Sequence, residues 1–229
     1  MVQALQPAHE NLSARVFEAL QDAIVTGDLE PGTKLREPEL AKRFGTSRGP
    51  LRDALRRLES RRLVINTPNA GARVVALSRQ QLVELYLVRE ALEGMTSRLA
   101  AANMSDTEIQ ELAALLKRHE QEIQRRDGAE YFKQEGDLDF HFRIAVGSRN
   151  ELLRISLCED HYQLMRLYRY KFSNRIGRPA IALAEHQMIL DAIRDRDGEL
   201  AEILMRRHIR NARRNFEKHL TDTPNGENT

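Results

Sequence analysis

Two histidines placed symmetrically about a chain break constrain this sequence more than any other feature. His186 and His208 each lie eleven residues from Asp197 (197 − 186 and 208 − 197). Asp197-Gly198 is a turn-prone pair between two stretches of helical apolar spacing. If it closes an antiparallel helical hairpin, both histidines sit ~16 Å from the turn, at ~1.5 Å of rise per residue, and can face each other at one level. A third stretch carries Asp137 and His141 four residues apart, which puts both side chains on one helix face. Three imidazoles and one carboxylate suit a borderline divalent ion, zinc first, with nickel or manganese as alternatives. An Asp–His pair at this spacing reads on its own as a surface pair. The mirrored histidines are what make the set a candidate site, and they require three helices to pack side by side.

The 229 residues suffice for one large domain or two modest ones. Hydrophobic residues at 41% and charged residues at 31% fit a globular protein with a sizeable core. No run of about 18 apolar residues exists, so no membrane span is expected. The N-terminus lacks the basic start and apolar block of a secretory signal. The single cysteine, Cys158, cannot form an internal disulfide; it fits a reducing cytoplasm and a small core position. His9, His119 and His219 read as surface or packed residues, and His161 as a core or pocket residue. The net charge of +2 is uneven: residues 10–76 hold twelve Lys/Arg and nine Asp/Glu, +3, which leaves −1 elsewhere. The excess concentrates at Arg48, Arg52, Arg56, Arg57, Arg61 and Arg62, against Asp53 and Glu59. Such a basic helix points to a polyanion partner; the plainer alternative is a solvated face.

Along the chain, residues 13–27 carry Val16, Leu20, Ala23 and Ile24 at helical spacing, with Ser13 as N-cap and Gly27 as C-cap. A second short helix is expected over 37–44, with Pro38 in its first turn and Gly45 at its end. Ser47 caps a third, 48–61, with Leu51, Ala54, Leu55 and Leu58 on one face and the arginines largely on the other. Two β-prone runs, 63–66 and 73–75, flank a Pro/Asn/Gly turn. Three small helices and a hairpin make a winged helix-turn-helix over 10–76. After Leu77-Ser78, helices are expected at 79–102, 105–126, 129–147, 151–173, 179–196 and 199–220. Breaks fall at Asp127-Gly128, Gly147, 174–177 and Asp197-Gly198. Residues 78–221 thus form an all-α bundle of about six helices, and the polar tail 222–229 is expected to be disordered. The fold class is mainly α, with a small β-wing.

This sequence resembles the GntR family of transcription regulators, in the subgroup with a FadR-type C-terminal ligand-binding (FCD) domain. In the first domain the likeness rests on PGTKLREPELAKRFGTSRGPLRDALRRLESRRLV and the Gly-containing wing after it. In the second it rests on LYLVREALEGMTSRLAA, DLDFHFRIAVGSRN and EHQMILDAIRDRDGELAEILMRRHI. Gly49 and Leu51 stand where Thr and Val are common, and Thr46 where Val is common. These departures are expected to tune operator choice or packing.

The resemblance implies a metabolite-responsive DNA-binding regulator, most often a repressor in this family, acting as a homodimer on an inverted-repeat operator. Arg48 opens the recognition helix and Arg52 follows one turn later. Arginine binds guanine O6 and N7 bidentately, so both are candidates for base readout. Ser47, at the helix N-terminus, can meet phosphate. Arg36 occupies a family-like contact position, and Gly71 at the wing tip would let backbone approach the minor groove. For Arg56 and Arg57 a solvated or internally paired state is the leading reading. In the second domain Asp137, His141, His186 and His208 are the implied ligands, and a small carboxylate metabolite would fill the open metal positions. Arg89 matches the family's carboxylate-facing arginine; it could instead be a surface partner of Glu93, four residues on. Glu185 is expected to point away from the direction of His186. Two other readings stand beside this one. The first is a metal-dependent enzyme fused to a DNA-binding domain, although no Ser/His/Asp triad, zincin motif or clear general base appears. The second is a regulator whose metal is purely structural.

Overall fold

The computed structural model describes residues 8–125, 140–160, 164, 167–168 and 178–220. The chain divides into two compact units, with a junction between Ala76 and Leu77. The described elements of the first unit are α1 (Ala8–Val25), β1 (Lys34–Leu35), α2 (Glu37–Arg43), α3 (Arg48–Ser60), β2 (Val64–Thr67) and β3 (Gly71–Val74). Helix α1 buries Val16, Phe17, Leu20, Ala23 and Ile24, and α3 packs Leu51, Ala54, Leu55 and Leu58 against it. Helix α1 begins earlier than expected, so Ser13 lies inside it and caps nothing. A serine costs a helix interior only about half a kcal/mol, too little to stop a segment that already supplies helix formers such as Glu10 and Leu12. Gly27, at φ +82°, ends the helix as a left-handed C-terminal residue.

The sheet is antiparallel, in the order β1-β3-β2. The hairpin pairs Val64 with Val74 through to Thr67 with Gly71. Strand β1 was not expected: two residues are too short to leave a periodic signal, yet Lys34 and Leu35 pair with Arg73 and Ala72. Asn69 at φ +65° and Gly71 at φ +81° turn the chain at the wing tip.

The second unit contains α4 (Arg79–Asn103), α5 (Asp106–Arg125), α6 (Phe140–Gly147), α7 (Glu151–Ile155), α8 (Arg178–Arg194) and α9 (Gly198–Leu220). Ser78 and Gln81 form a reciprocal capping box that starts α4. A π-helical turn, Ser156–Asp160, continues α7, so the described part of the expected 151–173 helix is not uniformly α. Cys158 lies in this turn and is half-buried, not a core residue. The rest of that helix, the breaks at Asp127-Gly128 and 174–177, and the tail 222–229 lie outside the described residues.

Helix α9 packs along α4 and pairs with α8, which in turn meets α4 and α5. Leu82, Leu112, Leu115, Ile189, Ile193, Met205 and Ile209 fill the core between them. The chain turns from α8 to α9 one residue earlier than the Asp197-Gly198 pair suggested. Arg196 takes the left-handed conformation at φ +61°, and Asp197 Oδ1 accepts the Leu200 N–H at 2.9 Å, capping α9. Gly198 belongs to α9, and its role is close approach: a Cβ there would stand 2.9 Å from the Arg98 carbonyl oxygen. The Arg196 guanidinium donates to the carbonyls of Ala101 and Met104 and to Asp106, satisfying acceptors that the end of α4 leaves open.

The start of α5 carries a pH-dependent tie. Ser105 N–H donates to the Glu108 carboxylate at 2.9 Å, Glu108 N–H returns to the Ser105 hydroxyl, and Arg149 adds a contact at 2.7 Å. These bonds, the Ser105 backbone bond first, hold the Glu108 carboxyl below its ordinary value of 4.5 against the opposing effect of burial. A folded-state pKa below the unfolded one stabilises the fold above the unfolded value, and the gain is lost as pH falls through the folded value. Glu108→Gln, which keeps the capping acceptor but removes the charge, is therefore expected to destabilise the protein by about 0.3–1 kcal/mol at neutral pH. The gap should close as the pH falls below 4.5. Denaturant melts of both forms from acid to neutral pH check this; a gap that stays flat would contradict it.

Candidate functional site

The hairpin of α8 and α9 brings His186 and His208 together, with their Nε2 atoms 3.2 Å apart. His186 stands in register with Ile189, Leu190 and Ile193 on the buried stripe of α8, and His208 with Ala201, Met205 and Ile209 on that of α9. Both histidines thus occupy positions that apolar side chains take elsewhere on the same helices. Helix α6 supplies His141, whose ring centroid lies 5.0 Å from that of His186 and 5.2 Å from that of His208. Phe140, its neighbour on α6, stacks on the His186 ring at 4.2 Å. All three histidines are buried, and one ligand nitrogen from each lies within 4.8 Å of the others. Asp137 lies outside the described residues.

Each of two cluster histidines has its outer nitrogen on a carboxylate. His141 Nδ1 meets Glu93 at 2.5 Å, and His208 Nδ1 meets Glu185 at 2.7 Å. In a neutral imidazole a carboxylate on Nδ1 favours the tautomer with the proton there, and Nε2 then carries the lone pair that a metal requires. The spacing fits the same purpose. Two nitrogens ~2.05 Å from one zinc ion stand about 2.9 Å apart at a right angle and about 3.3 Å apart at the tetrahedral angle. The separation of 3.2 Å between His186 and His208 falls between these limits. The donor set could therefore hold a divalent ion.

Sequence reasoning misjudged both carboxylates. Glu185 was expected to point away from the direction of His186, with no role in the cluster; it meets His208 Nδ1 across the hairpin and also accepts from Asn211 Nδ2 at 2.8 Å. The expectation considered only the direction of its neighbour His186; the second ring nitrogen of His208 reaches sideways to where Glu185 stands. Glu93 was considered only as a surface partner of Arg89. It does pair with Arg89, at 2.6 Å, but both are buried, and the same carboxylate takes His141 from α6. Burial alone would raise the Glu93 carboxyl. The Arg89 charge and the His141 imidazole, with their hydrogen bonds, outweigh it and hold the group well below the usual carboxylate range. Arg89 also lies over the Tyr86 ring at 5.0 Å.

The first unit carries a second candidate surface. A cleft of about 910 Å³ opens between α3 and the wing, lined among others by Arg36, Arg48, Arg52, Arg56 and Gly71. Ser47 holds the N-cap position of α3 in extended backbone, but its side chain makes no capping bond. Arg36 pairs with Glu39, Arg52 with Glu37, and Arg56 with Asp53. Arg48 forms no ion pair among the described residues. Arg57 and Arg61 turn the other way and lie over Phe17 of α1, at 4.1 and 5.0 Å. The basic run is thus split between a cleft and an internal contact.

Residues 12–74 match the bacterial regulatory proteins of the gntR family, and residues 84–211 match the FCD domain. The chain belongs to the GntR family. It is 31% identical over 201 residues to the HTH-type transcriptional repressor GlaR of Escherichia coli K12, covering 84% of this chain and 90% of that one. It is 30% identical over 192 residues to the gluconate operon transcriptional repressor of Bacillus licheniformis, covering 81% and 77%. The fold is that of E. coli McbR/YncC, with a TM-score of 0.73 at 24% identity over 96% of this chain and all 100% of that one. GntR-family proteins are transcription regulators, not enzymes, and bind operator DNA, typically as dimers. No helix among the described residues is long and apolar enough to cross a membrane.

The histidine geometry generates a test of its own. If the cluster takes a divalent ion, His186→Ala or His208→Ala is expected to lower the amount bound after dialysis against zinc, read by elemental analysis. The same variants should lose the gain in Tm that added zinc gives the wild type. A wild type that gains no Tm from zinc, nickel or manganese would count against a metal at this cluster.

Proposed function

We propose that this GntR-family chain is a transcription repressor that releases DNA in response to a small organic acid bound at a divalent metal ion. Residues 10–76 would read the operator, and residues 78–221 would sense and dimerise. The observation that carries the sensing half is the buried convergence of His141, His186 and His208, two of them oriented through Nδ1 by carboxylates. Those three imidazoles, with Asp137, would hold the ion. The bound ion would supply open coordination positions to which a carboxylate ligand can attach. Arg89 supports the choice of an acid: it is a buried cation tied through Glu93 to His141, and so belongs to the same cluster. One relative is named for a gluconate operon, and gluconate is a small carboxylate.

The reading half rests on Arg48, Arg52, Arg36 and Gly71 lining one cleft, with Ser47 at the helix N-terminus beside it. A single winged helix offers a small interface, so a homodimer on an inverted repeat is needed for useful specificity. To swing occupancy from hundredfold bound to hundredfold free, the acid must prefer the released state by ~5.5 kcal/mol.

Two measurements test this. A thermal-shift screen of small carboxylic acids, run with and without added zinc, should find acids that raise Tm only when metal is present. Those acids should also weaken binding to a duplex selected by the protein from a random pool. Acids that stabilise the protein equally without metal would remove the ion from the sensing role. On the same duplex, Arg48→Ala should cost ~1–3 kcal/mol, and more there than on scrambled DNA. Equal losses on both duplexes would make Arg48 a phosphate contact and not a base reader.

A further inference from the structure

We propose that Glu37 sets the specificity of DNA reading by positioning Arg52, an inference that rests on the DNA-reading role assigned to the cleft. Arg52 stands in the second turn of α3 and Glu37 is the first residue of α2, fifteen residues earlier. The Arg52 Nε lies 2.9 and 3.1 Å from the two oxygens of the Glu37 carboxylate. Both residues line the cleft between α3 and the wing, beside Arg36 and Arg48.

A carboxylate in the wall of a cleft that receives a polyanion is unfavourable if the cleft only collects phosphates. It becomes useful if Arg52 must read a base. The guanidinium carries five N–H donors, one on Nε and four on Nη1 and Nη2. Glu37 engages Nε and leaves the Nη pair as the forward edge, the fork that matches O6 and N7 of guanine. Paired in this way, Arg52 attracts a passing phosphate less strongly, which holds down binding to DNA of the wrong sequence. Arg52 then enters the duplex already ordered, and binding does not have to freeze a long, freely rotating side chain.

A plain tie between α2 and α3 is the competing role. The two helices already pack on each other, and each buries a leucine, Leu40 and Leu51. Arg52 is 60% exposed, and an ion pair so placed adds little to stability.

The test uses the full chain and a duplex that the wild type selects from a randomised pool, with a scrambled duplex of the same composition as reference. Kd is measured on both for wild type, Glu37→Ala, Arg52→Ala and the double variant, with a thermal melt of each. Glu37→Ala should lower the ratio of specific to non-specific affinity roughly threefold to tenfold, the cost of ordering one long side chain. It should bind the selected duplex more weakly and the scrambled one no less tightly than wild type. Glu37→Asp, which keeps the charge, should recover part of the ratio. The double variant should match Arg52→Ala, since Glu37 acts only through that side chain. An unchanged ratio in Glu37→Ala overturns the proposal, as does an equal loss on both duplexes with a lowered Tm, which is the signature of a helix tie. A further fall in the ratio beyond that of Arg52→Ala overturns it too. A wild type that selects no sequence would instead bring down the DNA-reading role, and this inference with it.

Discussion

The buried carboxylate of Glu93 is the constraint on which the second unit depends. A charge taken out of water costs several kcal/mol unless opposite charge and hydrogen bonds replace the solvent. Arg89, one turn earlier on α4, replaces part of it, and His141 from α6 supplies the rest. The first contact lies within a helix and forms with it. The second joins residues 48 positions apart and exists only when α6 packs on α4. The cost of leaving the second oxygen of Glu93 without a partner therefore favours one placement of α6, and that placement brings His141 to the α8–α9 hairpin. Removing Glu93 would leave the Arg89 guanidinium buried without this counter-charge, a loss of about 3–5 kcal/mol for pairs of this kind.

Much of this architecture was legible in the sequence, for identifiable reasons. The helices of the second unit announce themselves by apolar spacing, by capping residues such as Ser78 and Ser105, and by breaks at Gly147 and Asp197. The symmetric placement of His186 and His208 converts directly into distance, because helical rise is constant. What stayed hidden is what depends on which atom of a side chain does the bonding. Imidazole has two nitrogens facing different ways, so one His208 can reach both His186 and Glu185. No spacing rule encodes that choice. Strand β1 was hidden for another reason: two residues carry no period, and the strand exists only because β3 is there to pair with it.

The basic run of α3 shows the same division between local and tertiary information. Its arginines read alike in sequence, yet the fold gives them separate tasks. Arg57 and Arg61 spread over the Phe17 ring, where guanidinium planes gain contact and cation–π attraction, so they belong to the packing of α1 on α3. Arg48, Arg52 and Arg56 turn into the cleft. The count of positive charge on the helix therefore overstates what reaches a duplex, and the acidic partners Glu37, Glu39 and Asp53 reduce it further. A surface made only for phosphate would not need those carboxylates. A surface that discriminates among sequences gains from them, because they weaken the contacts that all DNA offers equally.

The placement of the histidines carries the last step. His186 and His208 stand in the apolar stripes of α8 and α9, so their polar edges are enclosed by the same core that holds the bundle together. In the proposed reading the ion is part of that core. Without it the two Nε2 atoms, 3.2 Å apart, can hydrogen-bond to each other, so an ion would replace that bond. A ligand that binds the ion acts on the same balance, since it changes the charge and the space at the point where α6, α8 and α9 meet. Such coupling needs no separate pathway within the unit: the groups that would recognise the ligand are the groups whose packing would answer to it.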